Sequence, residues 1–561
     1  MRRYSLEYNP ILQYYAQIKS KKVTVSKAIE KWYRYLVWHI QNPDEYFYSP
    51  KRANHIIEFA ENFCKFSKGA TGGQPVRLEL WEKAHLAAVF GFVDINGNRQ
   101  CRESLFIVGK KNGKSLLASI VGLYMQIGDG EPGPEVYAVA TKRDQASIIW
   151  KESKRMVNKS PQLRKRIKPL VGELSSEQYN DGSFKPLASD KDTLDGLNVH
   201  CVLMDEIHQW KNGKALYDIM ADGTTARQQP LVYITSTAGT VREDIYDLKY
   251  EEAKRVINGL FDKNGYKDKH FFPFLYELDN RKEWTQEENW YKANPGLGTI
   301  KNLDTLRAKV KKALNNPMLV KNLVCKEFNI RETSSESWMT FEDLDNTATF
   351  DIKKLCPKYG IGGNDLSSTT DLTNATLLFM VPDDKHIYVE QMYWLPEDLL
   401  EQRVREDKIP YDLWLEQGWL RTCPGNKVHY KHVVEWYQEM QEKYDIYLFK
   451  DGYDSWSATY FVEDMKNTFG ADTMEAVIQG KKTLSSPMKS LGADLAAKRI
   501  VYQNNPILKW CLANTAVDID KNNNIQPCKG NSPTRRIDGL AGLLDAYVVL
   551  ENHLEEYQSL I

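Results

Sequence analysis

Between Phe106 and Ser115 the chain reads FIVGKKNGKS, and this short stretch constrains the fold more than any other. Four apolar residues, Leu105 to Val108, predict a buried strand. Gly109 and Gly113 mark a turn, and from Leu116 the apolar residues recur at helical spacing through SLLASIVGLYMQI. Strand, glycine turn and helix start, in that order, aim backbone N–H groups and the positive end of a helix dipole at one point, which is how an anion is held. The usual spacing of such a loop, G-x-x-x-x-G-K-[ST], puts glycine at position 108, but the chain has Val108 there and Gly109 one place late.

The surroundings support the loop. Short apolar runs (LFIVG, VYAVA, VHCVLMD, LVYITSTA) alternate with helical patterns from Val76 onward, which predicts a mostly parallel sheet covered by helices, an α/β fold. In that setting Gly109, Lys110, Lys111, Asn112 and Gly113 form a phosphate cradle, Lys114 reaches the β- and γ-phosphates of ATP, and Ser115 holds Mg²⁺. A nucleotide site also needs an acid at a neighbouring strand end. The run from Val199 to Glu206 supplies Asp205 for the metal shell and Glu206, one step on, as a base that orients water.

With 561 residues the chain exceeds what one core serves, so two or more domains are expected. Helical spacing over residues 1–75 predicts an N-terminal helical region, followed by an ATPase-type core over 76–255 and a helical lid over 256–331. The lid carries a capping-box pattern at Thr285-x-x-Glu288 and an NPG turn at Asn294. The polar stretch ETSSES opens a linker, 332–340, and strand patterns then begin a further domain, 341–561. The eight cysteines are scattered without metal-binding spacing and read as reduced. No apolar run is long enough for a membrane helix, and the N-terminus lacks the apolar centre of a signal peptide, so a cytoplasmic protein is expected. Lysine plus arginine and aspartate plus glutamate balance at 75 each, so net charge names no partner. Locally, eight cations from Lys151 to Lys168 face one acid, Glu152. That run is either a solvated helix face or a phosphate-contacting surface.

The C-terminal domain places three acids at telling positions: Asp365 ends the strand in IGGND, Asp454 ends the strand in IYLFKDGYD, and Asp538 opens the last helix in RRIDGL. Acids converging from two strand ends and a helix start repel one another unless divalent cations lie between them. With two such ions the cluster can cleave a phosphodiester, and oxygen ligands favour Mg²⁺ or Mn²⁺. Asp545, seven residues after Asp538, is a further ligand or a capped surface acid, and the surface reading is preferred. Lys481, Lys482, Lys489, Lys498 and Arg499 are either ordinary surface charge or, in the setting the resemblance below implies, guides for DNA, and Arg535 and Arg536 beside Asp538 are better placed to meet a scissile phosphate.

The combination KKNGKS, ATKRDQA (140–146), TLDGLNVHCVLMDEIH (193–208) and ITSTAG (234–239) resembles the large subunit of tailed-bacteriophage terminases, and the likeness extends to the final helix. It implies a P-loop ATPase domain joined to an RNase H-like nuclease domain, with a phosphate loop that lacks the first glycine and carries a basic residue near its entrance. Lys110, before Lys111, resembles the cis-acting cation, Glu206 the catalytic base and Thr237 the residue of the coupling motif. Trp81-Glu82 falls where the family often has an aromatic–glutamine pair near the adenine, with Glu82 a departure. Asp365, Asp454 and Asp538 match the family's metal-binding acids, and Asp371 resembles an auxiliary acid. The resemblance implies double-stranded DNA, a small subunit and a portal protein as partners, a ring of copies on the portal, and action in the host cytoplasm. Alternatives are a nucleic-acid helicase, suggested by DEIH, and a non-enzymatic capsid-assembly protein.

Overall fold

Alternating strand and helix periods close into two main sheets, beside two short two-stranded ones. The computed structural model describes residues 1–69, 71–141, 143–188, 196–210, 213–239, 244–316, 319–332, 337–367, 371–407, 409–454, 459–530 and 535–561. They divide into two units, one up to residue 331 and one from residue 332. Residue 142 and the 143–145 side chains of the ATKRDQA motif, residues 193–195 of TLDGLNV, and 333–336 of the expected linker lie outside the described residues.

In the first unit β1 (Phe47–Tyr48) and β2 (Phe92–Val93) form a short antiparallel ribbon. The main sheet comprises β3 (Glu103–Ile107), β4 (Glu135–Ala140), β5 (Lys168–Pro169), β6 (Leu174–Ser176), β7 (Gly182–Ala188), β8 (Val199–Asp205), β9 (Leu231–Ser236) and β10 (Phe271–Leu275). Its order is β10-β3-β9-β8-β4-β7-β6-β5, parallel except for β5 and β6. Ile107 pairs with Ser236 and Asp205 with Thr235, so the loop after β3 emerges beside the ends of β8 and β9. In open α/β sheets that is where ligands bind.

Four helices precede or flank β3: α1 (Pro10–Lys19), α2 (Lys27–Gln41), α3 (Pro50–Phe63) and α4 (Leu80–Gly91). The Asn9 side chain accepts from Ile11 and Leu12 N–H to cap α1, and Pro10 fills its first position. Ser26 caps α2 and donates its hydroxyl to Leu275 O at 2.9 Å, while Trp32 packs edge-on to Phe272 and Phe274. Burying one such indole contributes roughly 4–6 kcal/mol as an upper bound. The N-terminal helices therefore share the core of the sheet. The edge strand β10 lies beyond residue 255, inside the stretch read as a helical lid, because FFPFL is too short to reveal its period. Nor does the Thr285-x-x-Glu288 pattern cap an α-helix: 3₁₀ turns occupy Arg281–Thr285 and Glu287–Lys292.

After β3 come α5 (Lys114–Ile127), α6 (Arg143–Lys159) and α7 (Pro161–Arg164). The second unit holds β11 (Tyr359–Asp365), β12 (Thr373–Phe379), β13 (Ile387–Pro396), β14 (Leu420–Cys423), β15 (Tyr447–Asp454), β16 (Met474–Val477) and β17 (Ile500–Val501). The order is β14-β13-β12-β11-β15-β16, with β17 pairing β13. β11 to β13 are an antiparallel meander, and β15 joins β11 in parallel. β18 (Ala516–Ile519) and β19 (Ile525–Cys528) form a hairpin, and the Asp538–Asn552 helix packs across β11, β12 and β15. Among the described residues no helix is long and apolar enough to cross a membrane.

Candidate active sites

The loop of the first unit is held from behind. Val108, where a phosphate loop usually has glycine, is fully buried, and its N–H donates to Ser236 O. Gly109 N–H donates to Ala293 O at 2.9 Å and Lys110 N–H to Lys326 O at 3.0 Å. A Cβ on Gly109 would lie 2.4 Å from Asn294 Oδ1 and 2.6 Å from Glu327 O, so packing against these residues requires glycine there. Buried Asn112 donates to Gly109 O and to Asn294 Oδ1, both at 2.8 Å, and accepts from Gly296 N–H. Lys301 joins Asn294 to Glu327. Sequence reasoning saw the NPG turn at Asn294 only as a turn, since nothing local shows that it meets a loop 182 residues away.

Gly113 adopts φ +83° as the N-cap of α5, a left-handed conformation suited to glycine. The first-turn N–H groups open on a cavity of about 480 Å³ lined by Lys110, Lys111, Gly113, Lys114, Ser115 and Glu206, with Glu152 from α6. Lys110 is half-buried and Lys111 exposed at φ +68°. Lys114 Nζ lies 3.1 Å from Glu206 Oε1. Asp205, buried at the end of β8, accepts the Thr235 hydroxyl at 2.7 Å; burial, then Glu206, pushes its carboxyl up to about 6. Burial also acts to raise Glu206, but Lys114 and His208 outweigh it and hold that carboxyl far below the usual range. His208 Nδ1 sits 3.1 Å from Glu206 Oε2 and 3.0 Å from Ser236 Oγ, and the Thr237 hydroxyl is 3.4 Å from Glu206. His208, unassigned in the sequence motif DEIH, thus joins Glu206 to the end of β9. Ala238 N–H donates to Asn329 Oδ1, tying that segment to the end of the Val320–Phe328 helix.

Glu82 serves a structural bond: it forms a capping box with Glu79 at the start of α4, and burial pushes its carboxyl up to about 8. Trp81 and Glu79 line a separate cavity of about 370 Å³ with Tyr14, Gln17 and Tyr291.

In the second unit strand register sets the acids. β11 and β15 pair in parallel with Asn364 opposite Tyr453, so Asp365 and Asp454 leave neighbouring strand ends. The Asp538–Asn552 helix lies close over the same face. A Cβ on Gly363 would be 2.3 Å from Gly542 O, and one on Gly452 would be 2.6 Å from Asp545 O. Burial, then Asp538, Asp545 and Asp371, raises Asp365 well above the usual range. Asp538 is 3% exposed and pushed up to about 7 by burial and then Asp371, and its buried Oδ2 has no hydrogen-bond partner. Asp545 is not a surface acid: it is 3% exposed, accepts from Gln479 Nε2 at 2.8 Å, and is raised by burial. Spacing placed it on the face of Asp538 but could not show that this face is covered.

Asp371 is bridged by Lys529 Nζ at 2.7 Å and Arg536 at 3.0 Å, and Arg536 also reaches Asp407. Arg536, 4% exposed, therefore spends its guanidinium on carboxylates and does not face outward to DNA, a departure from expectation. Arg535 is half-buried, Lys481 pairs with Asp518 at 2.8 Å, and Lys482 is exposed. On the other sheet face buried Asp451 accepts from Asn364 and Tyr437, and burial pushes it up to about 7. Among the described residues no three or more His, Cys, Asp or Glu side chains converge to metal-holding distance. The chemistry of the donor set still suits a hard cation: the donors are carboxylates, of which Asp365, Asp538 and Asp545 are raised first by burial, and Asp538 has an orphaned buried oxygen.

A family model described as "Terminase large subunit, ATPase domain" matches residues 80–255, and one described as "Terminase large subunit, endonuclease domain" matches 265–553. The terminase large subunit of Enterobacteria phage HK97 is 26% identical over 500 residues, covering 88% of this chain and 94% of that protein. That of Lactococcus phage p2 is 24% identical over 535 residues, covering 92% of each. The crystal structure of the HK97 large terminase aligns with TM-score 0.47 and 25% identity over 89% of this chain and 99% of that one.

Proposed function

The chain belongs to the family of terminase large subunits, and from that premise we propose how its two pockets divide the work of driving DNA with ATP and cutting it. In the first unit Lys110, Lys111, Gly113, Lys114 and Ser115 receive the triphosphate, with Asp205 and Ser115 holding Mg²⁺. Lys114 lies against Glu206. Triphosphate competes for that lysine and frees Glu206, which His208 and Thr237 then orient toward the attacking water. Lys110 is the cation set against γ-phosphate charge. Trp81 and the cavity beside it take the base. The single observation that carries this reading is the convergence of Lys114, Glu206, His208 and Thr237 at the ends of three adjacent strands.

In the second unit Asp365, Asp454 and Asp538 hold Mg²⁺ or Mn²⁺, with Asp545 supporting from the same helix and Asp371 positioned by its cations. Bound ions supply water activation and stabilise the leaving oxygen. The protein holds the acids on a strand–helix frame, with Asp538 and Asp545 buried. Lys481, Lys482 and Arg535 guide the DNA backbone. A small subunit, a portal and a ring of copies complete the packaging assembly in the host cytoplasm. Glu206→Ala abolishes ATP turnover and spares nucleotide binding, whereas Asp365→Ala stops cutting and leaves ATP hydrolysis intact. Equal loss of both activities in either variant refutes the division of labour.

A further inference from the structure

Glu206 stands in an unfavourable backbone conformation. Its φ of +52° and ψ of +43° lie in the left-handed region, which a residue with a side chain occupies only when its neighbours hold it there. One hold is its own N–H, which donates to Thr235 O at 2.8 Å. Others come from the segment Ser236–Gly239, where β9 ends. Ser236 Oγ lies 3.0 Å from His208 Nδ1, accepts the His208 backbone N–H at 3.3 Å and donates to Thr237 O at 2.9 Å. A Cβ on Gly239 would lie 2.8 Å from His208 Cβ, so the segment wraps closely around the imidazole that sits 3.1 Å from Glu206.

That segment is anchored from outside the sheet by Asn329. Asn329 is 1% exposed and closes the Val320–Phe328 helix at φ +57°. Its Oδ1 accepts Ala238 N–H at 3.0 Å, and its Nδ2 donates to Tyr276 O at 2.7 Å. Ala238 follows β9 and Tyr276 follows β10, and those strands flank β3, so the carboxamide bridges the two strand ends on either side of the phosphate-loop strand. The same helix end accepts Lys110 N–H at Lys326 O and Asn294 Nδ2 at Glu327 O. Ending a helix in a left-handed residue needs no side chain, and glycine serves that purpose most often. Both side-chain bonds of Asn329 go to strand ends and neither to its own helix. The amide therefore does something the helix end does not require.

We propose that Asn329 is a positioning residue for ATP hydrolysis: its carboxamide fixes Ala238 and, through Ser236, Thr237 and His208, holds Glu206 where it directs water at the γ-phosphate. Asn329 acts through these residues and not on the reacting atoms. The inference rests on the reading of Glu206 as the base given above. Ala238 is fully buried, so without the amide its N–H has no partner at hand, and the segment must shift to find one. The phosphate cradle keeps its own anchors at Ala293, Asn294 and Lys326, so turnover and nucleotide binding should part.

The test uses the full chain with Asn329→Gly, which leaves the helix exit unstrained and removes the amide. Steady-state ATP hydrolysis with Mg²⁺ should show kcat lowered about 10–100-fold, while calorimetric affinity for a non-hydrolysable ATP analogue stays within about twofold. Asn329→Ala removes the same amide but strains the exit, so it should melt about 2–4 °C below the glycine variant and yet turn over ATP at the same reduced rate. Asn329→Asp, which when buried keeps a proton for Tyr276 O and still offers Ala238 an acceptor, should restore most of kcat. Unchanged kcat in the glycine variant overturns the proposal. So does a loss of affinity as large as the loss of kcat, which would make Asn329 part of the cradle, or a kcat that follows melting temperature across the variants, which would make it a stability residue only. An aspartate variant as slow as the glycine one also overturns it. If Glu206→Ala turns over ATP at the unaltered rate, the reading of Glu206 as the base fails instead.

Discussion

Gly363→Ala separates the two activities by geometry alone. The added methyl would stand 2.3 Å from Gly542 O, 2.4 Å from Ala546 N and 2.7 Å from Ala546 Cβ. Two of these atoms are backbone, so rotamer changes give no relief. Restoring ordinary contact requires the Asp538–Asn552 helix to move away from β11 by roughly 1 Å, and such overpacking costs about 1–3 kcal/mol. That is a fraction of a typical domain's stability, about 5–15 kcal/mol, so the variant folds. Catalysis is less tolerant. Paired ions about 3.5–4 Å apart need ligands held within roughly 0.5 Å, and a misplacement of about 1 Å costs on the order of 10²-fold in rate. Linearisation of a supercoiled plasmid with Mn²⁺ should fall about 100-fold, while ATP hydrolysis, housed in the other unit, is unchanged. Gly480→Ala, where a Cβ would meet nothing within 4 Å, is the matched control and should cut normally. A folded Gly363→Ala protein that cuts at the unaltered rate would show that helix placement does not set the nuclease geometry.

Three further outcomes follow from buried charges and from the loop anchor. Asp538 has an ordinary value of 3.8 and sits at about 7 in the folded state. Between those values the folded protein keeps a proton that the unfolded chain has released, so this carboxyl's contribution to stability falls as pH rises, by about 4 kcal/mol in total. In EDTA, hydrogen exchange of the 538–552 helix should quicken from about pH 5 to pH 8 beyond the intrinsic rate, and Mg²⁺ or Asp538→Asn should suppress the effect; added protection at pH 8 without metal would contradict it. Asp129, fully enclosed, is held down to about 2 against burial by Arg99 and His200. It stabilises the fold above its ordinary value and loses that contribution as pH falls toward 2, and Asp129→Asn should lower stability by about 3–5 kcal/mol in denaturant titration. Asn112→Ala removes the amide that joins the loop to Asn294 and Gly296, leaving Asn294 Oδ1 with one donor fewer. Calorimetry should show weaker ATP binding, with a loss of about 1–3 kcal/mol; undiminished affinity would mean that the anchor does not shape the cradle.

What could be read from sequence was local chemistry. The strand, turn and helix start of FIVGKKNGKS, the acid pair at Asp205 and Glu206, and the α/β alternation each lie within one short window, where period and residue type carry the information. What escaped depended on distant partners. The resemblance accounted for the missing first glycine, but the physical reason for Gly109 lay in Ala293, Asn294 and Glu327, packed behind the loop. Arg536 looked like a phosphate contact beside Asp538, but its guanidinium lies inward against Asp371 and Asp407. Its neighbours gave no sign of this, since Asp407 is 129 residues away.

The acids proposed for the nuclease site did leave one local trace that composition alone hides. β11 ends Gly363-Asn364-Asp365 and β15 ends Gly452-Tyr453-Asp454, so both strands close on glycine, any residue, aspartate. Side chains two apart in a strand share a face, and glycine inside a strand marks close approach of another backbone. Each pair thus states that a helix lies against the face from which the acid projects. The last helix answers with Gly542 over Gly363, and with the Asp545 carbonyl over Gly452. Its start, Asp538, is thereby carried to the strand ends. The repulsion among the acids is a consequence of that packing, which is why relaxing the helix by one methyl group should silence cutting before it unfolds the protein.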